Sequence, residues 1–165
     1  MTLTVTDEPP DRPEWMSETI RLVGQTTGAW RDELLARVAR ASERDLVAGT
    51  DDDWGLGQVA VHLLLIDRGV AGIALRLAKG EPSGPTGQPR PAAARATREG
   101  IAALAAKARE AMSALAAGFP ARPDLAARAR HPYYGDLNAF GWLLTLPNHY
   151  RAHLDALDRG TRSAL

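Results

Sequence analysis

The chain is interrupted near its middle by Glu81-Pro82-Ser83-Gly84-Pro85-Thr86-Gly87-Gln88-Pro89-Arg90-Pro91. The prolines and glycines of this segment exclude regular secondary structure, so we predict a loop. Its eleven residues, when extended, span about 30 Å or more, which is roughly the length of a 20-residue helix. The helices on either side can therefore run in the same direction, joined by a crossover along the length of the molecule.

Four segments carry helical periodicity, and none carries a convincing alternating pattern of a strand. We predict helices over about residues 17–41, 54–78, 93–117 and 138–159. Ser17 and Asn138 are good N-cap residues, and Gly80 and Gly118 end the second and third helices. Long helices with short turns and one crossover are typical of an all-α four-helix bundle.

Composition narrows the possible partners and compartments. Lys+Arg and Asp+Glu number 20 each, so the formal net charge is zero and neither nucleic acid nor a membrane surface is an expected partner. Residues 1–12 lack the plan of a signal peptide, and the apolar run at 63–66, with 59–61 beside it, is too short to cross a bilayer. We expect one cytoplasmic domain over residues 1–165, with a flexible segment at 1–14.

The absence of cysteine limits the chemistry that the chain itself can supply. No residue of the sequence is a cysteine, which excludes disulfides, thiolate metal ligands and a thiol nucleophile from these residues. A bound metal must therefore use nitrogen or oxygen ligands. Imidazole suits zinc, nickel, copper and iron alike.

Histidines indicate where a metal could bind. The fourth predicted helix carries His149-Tyr150-Arg151-Ala152-His153, and positions i and i+4 lie about 5–6 Å apart on one helix face. The pair shares its face with Trp142, Leu146 and Leu157, whereas His62 shares an apolar stripe of the second helix with Val59, Ile66 and Ile73. Three inward imidazoles on two helices match a catalytic metal site, in which three protein ligands leave one position open.

An alternative interpretation stays open, because a core histidine is often satisfied by a backbone carbonyl or a tyrosine. We predict that His131 lies outside the site. The fourth helix begins near Asn138, and His149 follows eleven residues later, which is roughly 16 Å along the helix axis. Pro132 favours an extended turn, so we expect His131 to make a structural hydrogen bond at the end of the bundle.

Three passages of the chain resemble the DinB/YfiT-like superfamily of metal-dependent bundles. They are Trp54-Gly55-Leu56-Gly57-Gln58-Val59-Ala60-Val61-His62-Leu63, His131-Pro132-Tyr133-Tyr134-Gly135-Asp136-Leu137, and Trp142 followed by His149-Tyr150-Arg151-Ala152-His153. The similarity extends over nearly the whole chain in order and spacing. It implies an up-down-down-up bundle, with a long crossover between helices 2 and 3, and a metal triad of His62, His149 and His153.

The resemblance also implies a class of reaction. Known activities of the superfamily are metal-dependent reactions with low-molecular-weight thiols, including mycothiol-dependent isomerisation and bacillithiol transfer. We therefore expect a divalent metal, with zinc or nickel preferred, a low-molecular-weight thiol cofactor, a small-molecule substrate and a homodimer. The apolar stretch at 59–66 also favours a dimer, because a monomer rarely leaves such a patch exposed.

No general base can be assigned from the sequence. Asp67 points away from the stripe of His62, and Tyr150 is the remaining candidate. Two alternatives to a thiol-dependent enzyme stay open. One is a metal-dependent hydrolase with water in the open position, and the other is a non-enzymatic metal-binding bundle, whose sign would be a closed site or a core too tight for substrate.

Overall fold

The computed structural model describes residues 11–160, so most of the segment expected to be flexible, residues 1–10, lies outside the described residues. Four long helices and a few short elements make up the fold. In chain order they are α1 (Glu14–Arg40), α2 (Glu43–Leu46), α3 (Leu56–Ala78), a 3₁₀ turn (Ala93–Arg95), α4 (Arg98–Gly118), β1 (Ala129–His131), β2 (Gly135–Leu137) and α5 (Ala139–Asp158). The prediction of four long helices is confirmed.

The N-termini of α1, α4 and α5 agree only in part with the predicted caps. Asn138 caps α5, since its side chain accepts a 3.0 Å hydrogen bond from the backbone N–H of Gly141. Ser17 is not the N-cap of α1, because the helix begins three residues earlier and the carbonyl of Pro13 accepts from the N–H of Ser17. In α4 the cap is Thr97, so the regular helix begins later than the periodicity predicts.

Two short elements occupy segments that we predicted to be loops. Ser42 and Asp45 form a reciprocal capping box that starts the single turn of α2, a known signature of helix N-termini. Strands β1 and β2 pair as an antiparallel hairpin in which Ala129 faces Leu137. Gly135 has a φ of +78°, which other residues rarely adopt. Strands of three residues are too short to show an alternating pattern.

Contacts between the long helices give their directions. The start of α4 meets the end of α1, because Arg98 donates to the carbonyl of Ala41, and further along α4 Arg109 pairs with Asp32. Helices α1 and α4 are therefore antiparallel. At the other end, Arg12 donates to the carbonyl of Ala116 in α4.

Helices α3 and α4 are parallel, as the crossover allows. The backbone of Gly57, at the start of α3, packs against Ala96, and Gly118, at the end of α4, packs against Leu75. Helix α5 runs parallel to α1, since Trp15 packs against Phe140 near their starts, and a salt bridge joins Arg37 to Asp158 near their ends. The order is therefore up-down-down-up.

Helix α3 is the central helix of the bundle. By length and composition α3 could span a membrane, whereas the unbroken apolar run at 63–66 alone predicts that it could not. The two differ because the helix stays apolar on average in spite of the charged residues at 67 and 68. A core helix has the same length and composition, and 67% of the most apolar stretch of α3 is buried inside the protein. Residues 59–64 are all buried within this one chain. Their apolarity therefore needs no second subunit, and the homodimer stays a prediction.

Candidate metal centre

Three histidines from two helices converge inside the bundle. His62 lies on α3, whereas His149 and His153 lie one turn apart on α5. One ligand nitrogen from each lies within 4.8 Å of the other two, and the Nε2 atoms of His62 and His149 are 3.0 Å apart. His62 and His153 are buried, and His149 is partly exposed. The structure thus brings together all three residues that we predicted as metal ligands.

The crossover determines the protonation of His62. Its Nδ1 lies 2.7 Å from the carbonyl oxygen of Pro89. Because a carbonyl can only accept, Nδ1 carries the proton and Nε2 presents its lone pair to the other histidines. A carbonyl partner of this kind is the usual support of a metal-binding histidine. Sequence reasoning missed this contact, since it depends on the path of an irregular loop.

Gln58 holds the crossover in place one turn before His62. Its side-chain amide donates to the carbonyls of Thr50 at 2.9 Å and Pro91 at 3.1 Å. Its side-chain oxygen accepts from the N–H of Gly55 at 3.1 Å. Both polar atoms of this fully buried amide are thus used, through three hydrogen bonds, to join the loop to the start of α3. The opening passage of the second predicted helix contains Gln58, but the sequence shows no sign of these partners.

The environment keeps the three imidazoles neutral. Burial, together with the charges of the neighbouring His153 and His62, lowers the pKa of His149 to about 3. Burial and the charge of His62 lower the pKa of His153 to about 4. Burial also lowers the pKa of His62, although the hydrogen bond to Pro89 opposes this shift. Neutral imidazole is the form that binds metal ions.

The donor set fits a divalent ion such as zinc or nickel. Two nitrogens bound to one ion at about 2.0–2.1 Å lie about 3.0–3.4 Å apart, and the 3.0 Å between His62 and His149 is at the edge of that range. The alternative of ordinary core histidines accounts for the Nδ1 of His62 and for a hydrogen bond between the Nε2 atoms of His62 and His149. It does not account for His153, to which no backbone carbonyl or tyrosine bonds within residues 11–160, although its ligand nitrogen lies within 4.8 Å of the other two.

Three openings adjoin the histidines. A cavity of about 60 Å³ is lined by His149, His131 and Trp142 together with residues of the crossover. A cleft of about 280 Å³ lies beside His62, and another of about 200 Å³ lies beside His149 and His153. The exposed rings of Tyr133 and Tyr134 border these clefts. A small molecule can therefore approach the histidines from solvent.

His131 is much closer to the site than we predicted. Its Nδ1 accepts hydrogen bonds from the N–H groups of Tyr133 and Tyr134 at 3.1 and 3.3 Å, which confirms the predicted structural hydrogen bond. However, its ring packs 4.8 Å from that of Trp142 and lines the same cavity as His149. The distance along α5 from Asn138 to His149 does not separate His131 from the site, because the hairpin folds back over the first turns of α5.

A separate polar cluster joins α1, α3 and α5 in the core. Arg31 donates to Asp67 Oδ2 through Nε and Nη2 at 2.9 and 2.7 Å, and the hydroxyl of Tyr150 donates to the same oxygen at 2.9 Å. Burial raises the pKa of Asp67, and the Arg31 guanidinium opposes this. Burial and the charge of Asp67 raise the pKa of Tyr150. Tyr150 is therefore a protonated donor to Asp67 and not a base at the histidines.

Arg31 was missed in the sequence although its spacing indicates its place. It lies four residues after Thr27 and three before Leu34, both on the apolar stripe of α1. A charged residue at such a position is buried only when it has a partner. That partner, Asp67, lies 36 residues away, which periodicity within one helix cannot reveal.

Comparison with known proteins agrees with the bundle. A family model described as the DinB superfamily matches residues 25–157, a range that includes all three histidines. A solved structure titled "Crystal structure of TT2238, a four-helix bundle protein" has a TM-score of 0.62 and 25% sequence identity to this chain. The match covers 85% of this chain and 98% of that one. Among curated proteins, no sequence reaches a significant match. On its fold and on the extent of the family match, this chain belongs to the DinB superfamily.

Proposed function

We propose that this protein is a divalent-metal-dependent enzyme in which His62, His149 and His153 hold zinc or nickel. The observation that carries the proposal is the convergence of three neutral imidazoles, with the lone pair of His62 Nε2 turned toward the others by the carbonyl of Pro89. Three protein ligands leave a position open for a small molecule. The clefts beside the histidines give access to it.

The chain's own residues prepare the site for an ion. When bound, a divalent ion lowers the pKa of a coordinated thiol or water and so supplies a nucleophile at neutral pH. Pro89 holds the proton of His62 on Nδ1, and burial keeps His149 and His153 neutral. The adjoining cavity has apolar walls that include Ile73, and a less polar surrounding strengthens charge interactions.

A low-molecular-weight thiol is the nucleophile that we propose, in keeping with the superfamily that the chain resembles. The sequence contains no cysteine, so the thiol must come from a cofactor. Hydrolysis by water at the same position is the competing reaction. A non-enzymatic bundle is disfavoured by the clefts, because a purely structural site needs no access for a substrate.

Metal analysis of protein purified without an affinity tag tests the proposal. The wild-type protein should carry about one equivalent of zinc or nickel per chain, because three ligands suffice for tight binding. His62→Ala, His149→Ala and His153→Ala should each lose it. Arg151→Ala is the matched control, since Arg151 is an exposed residue between the two histidines of α5. Full metal content in the His149→Ala protein would contradict the site.

The dependence of the rate on added thiol separates transfer from hydrolysis. The metal-loaded protein can be supplied with N-acetylcysteine and an electrophile such as 1-chloro-2,4-dinitrobenzene, and separately with p-nitrophenyl acetate without thiol. Transfer predicts product formation that requires both metal and thiol and that disappears in His149→Ala. Metal-dependent release of nitrophenol in the absence of thiol would instead favour the hydrolase.

A further inference from the structure

His131 is a buried histidine with no part in the proposed metal site. It is 4% exposed, and its Nδ1 accepts from the backbone N–H groups of Tyr133 and Tyr134. A neutral imidazole whose Nδ1 accepts must carry its proton on Nε2. No hydrogen bond among the described residues uses that Nε2–H, and this nitrogen is not fully buried, so a water or a small ligand can reach it.

The unpaired donor belongs to a ring that borders the cavity beside His149. This cavity, of about 60 Å³, is walled on one side by the apolar residues Leu65, Ile73 and Trp142 and on another by Gln88 of the crossover. Its size suits a few non-hydrogen atoms, since one water needs about 10–15 Å³ on such a measure. His131 and His149 therefore meet the same small, largely apolar space.

We propose that His131 is a substrate-binding residue, whose Nε2–H donates a hydrogen bond to an oxygen acceptor of the substrate in this cavity. The substrate class is a small molecule with a carbonyl or carboxylate oxygen next to a short aliphatic body. In this arrangement the oxygen accepts from His131 and the aliphatic part contacts Ile73 and Trp142, within the cavity that His149 also lines. This inference rests on the proposed function, because the metal site defines where the substrate binds.

A purely structural role of His131 would use Nδ1 alone. The side-chain oxygen of asparagine accepts hydrogen bonds from the N–H groups two and three residues later in the same way. The His131→Asn substitution therefore keeps the acceptor for Tyr133 and Tyr134 and removes the Nε2–H of the ring that lines the cavity. It separates the structural role from substrate binding.

The test uses the Co²⁺-loaded protein with acetohydroxamate, a small anionic oxygen ligand, followed by visible absorption of the metal. His131→Asn should keep its Co²⁺ content and stay folded, with a lower melting temperature because its ring no longer packs on Trp142, and its Kd for acetohydroxamate should rise about five- to tenfold, the effect of one lost hydrogen bond. Arg130→Gln is the matched control, since Arg130 is the exposed neighbour on β1 and should bind as the wild type does. A Kd of His131→Asn within twofold of the wild-type value would overturn the inference.

A second measurement tests the inference in the wild-type protein without metal. Long-range ¹H–¹⁵N correlation of the imidazoles at neutral pH should show His131 with its proton on Nε2. A proton on Nδ1 would overturn the inference and leave the metal site standing. Failure of the wild-type protein to take up Co²⁺ would instead overturn the proposed function, and the role of His131 with it.

Discussion

The Arg31–Asp67 ion pair lies inside the bundle, with the two side chains 6% and 0% exposed. The hydrogen bonds from Arg31 and Tyr150 all end on Asp67 Oδ2, and Oδ1 has no hydrogen-bond partner among the described residues. A buried carboxylate with so few partners depends strongly on the cation beside it. The pair therefore joins α1 to α3 only while both members are present.

Removal of the cation should destabilise the protein strongly. Arg31→Met keeps much of the side-chain volume and leaves Asp67 as an unpaired buried charge, so we expect a loss of about 3–5 kcal/mol in the free energy of unfolding. Urea denaturation measures it. The control is Arg21→Met, which breaks an exposed pair with Glu18 and should leave the midpoint nearly unchanged. Equal effects of the two substitutions would contradict the structural role of the buried pair.

Tyr150 should matter for stability and not for metal. Tyr150→Phe removes the hydroxyl that bonds to Asp67 and keeps the ring in the core, so we expect a loss of about 1–2 kcal/mol and full metal content. The measurements are urea denaturation and metal analysis of the same preparation. Loss of the bound metal from Tyr150→Phe, with an unchanged free energy of unfolding, would mean that Tyr150 acts at the histidines.

At the scale of elements, the hairpin and the crossover complete the site that the helices begin. The long helices provide His62, His149 and His153, but the crossover provides Pro89, which orients His62, and the hairpin provides His131, which lines the cavity. Sequence periodicity finds the first group because it repeats over many turns. It misses the second group, since the path of a loop depends on contacts with distant residues such as Trp142.

Gly135 should be required for the hairpin. Its φ of +78° is strained for any residue with a Cβ, so Gly135→Ala should lower the free energy of unfolding by about 1–2 kcal/mol. The control is Gly87→Ala in the crossover, where an added Cβ meets no atom within 4 Å. Differential scanning calorimetry compares the two. A Gly135→Ala protein as stable as the control would show that the hairpin tolerates another conformation.

At the scale of the whole molecule, the sequence predicts most of the architecture and part of the site. The crossover at 81–91 and the four periodic segments suffice for the bundle and its up-down-down-up order, once the resemblance to the family is added. The three metal ligands follow from histidines on inward stripes. The Arg31–Asp67–Tyr150 cluster does not follow, because each member lies on a different helix, and pairing across helices leaves no periodic trace in the sequence.

Stability without metal should fall in acid because the buried histidines must stay neutral. The folded-state pKa values of His149 and His153 are lowered to about 3 and about 4, whereas an unfolded histidine titrates near 6.5. Below pH 6.5 the unfolded state therefore binds more protons, and the stability due to these groups, complete above that pH, declines until the pH reaches their folded-state values.

Urea denaturation of the metal-free protein between pH 7.5 and 4.5 measures this decline. The His149→Phe protein, which has one buried histidine fewer to titrate, should show a shallower dependence on pH than the wild type. Arg151→Ala serves again as the control and should follow the wild-type profile. Parallel profiles for wild type and His149→Phe would mean that His149 is protonated in the folded state, contrary to the burial seen here.

The position of the metal is the most direct test of the central claim. Crystals grown with Zn²⁺ can be measured on both sides of the zinc absorption edge, and the anomalous difference map locates the ion without reference to any assumed ligand. We predict one strong peak within bonding distance of nitrogens of His62, His149 and His153. A peak at other residues, or no peak between these imidazoles when zinc is present in excess, would contradict it.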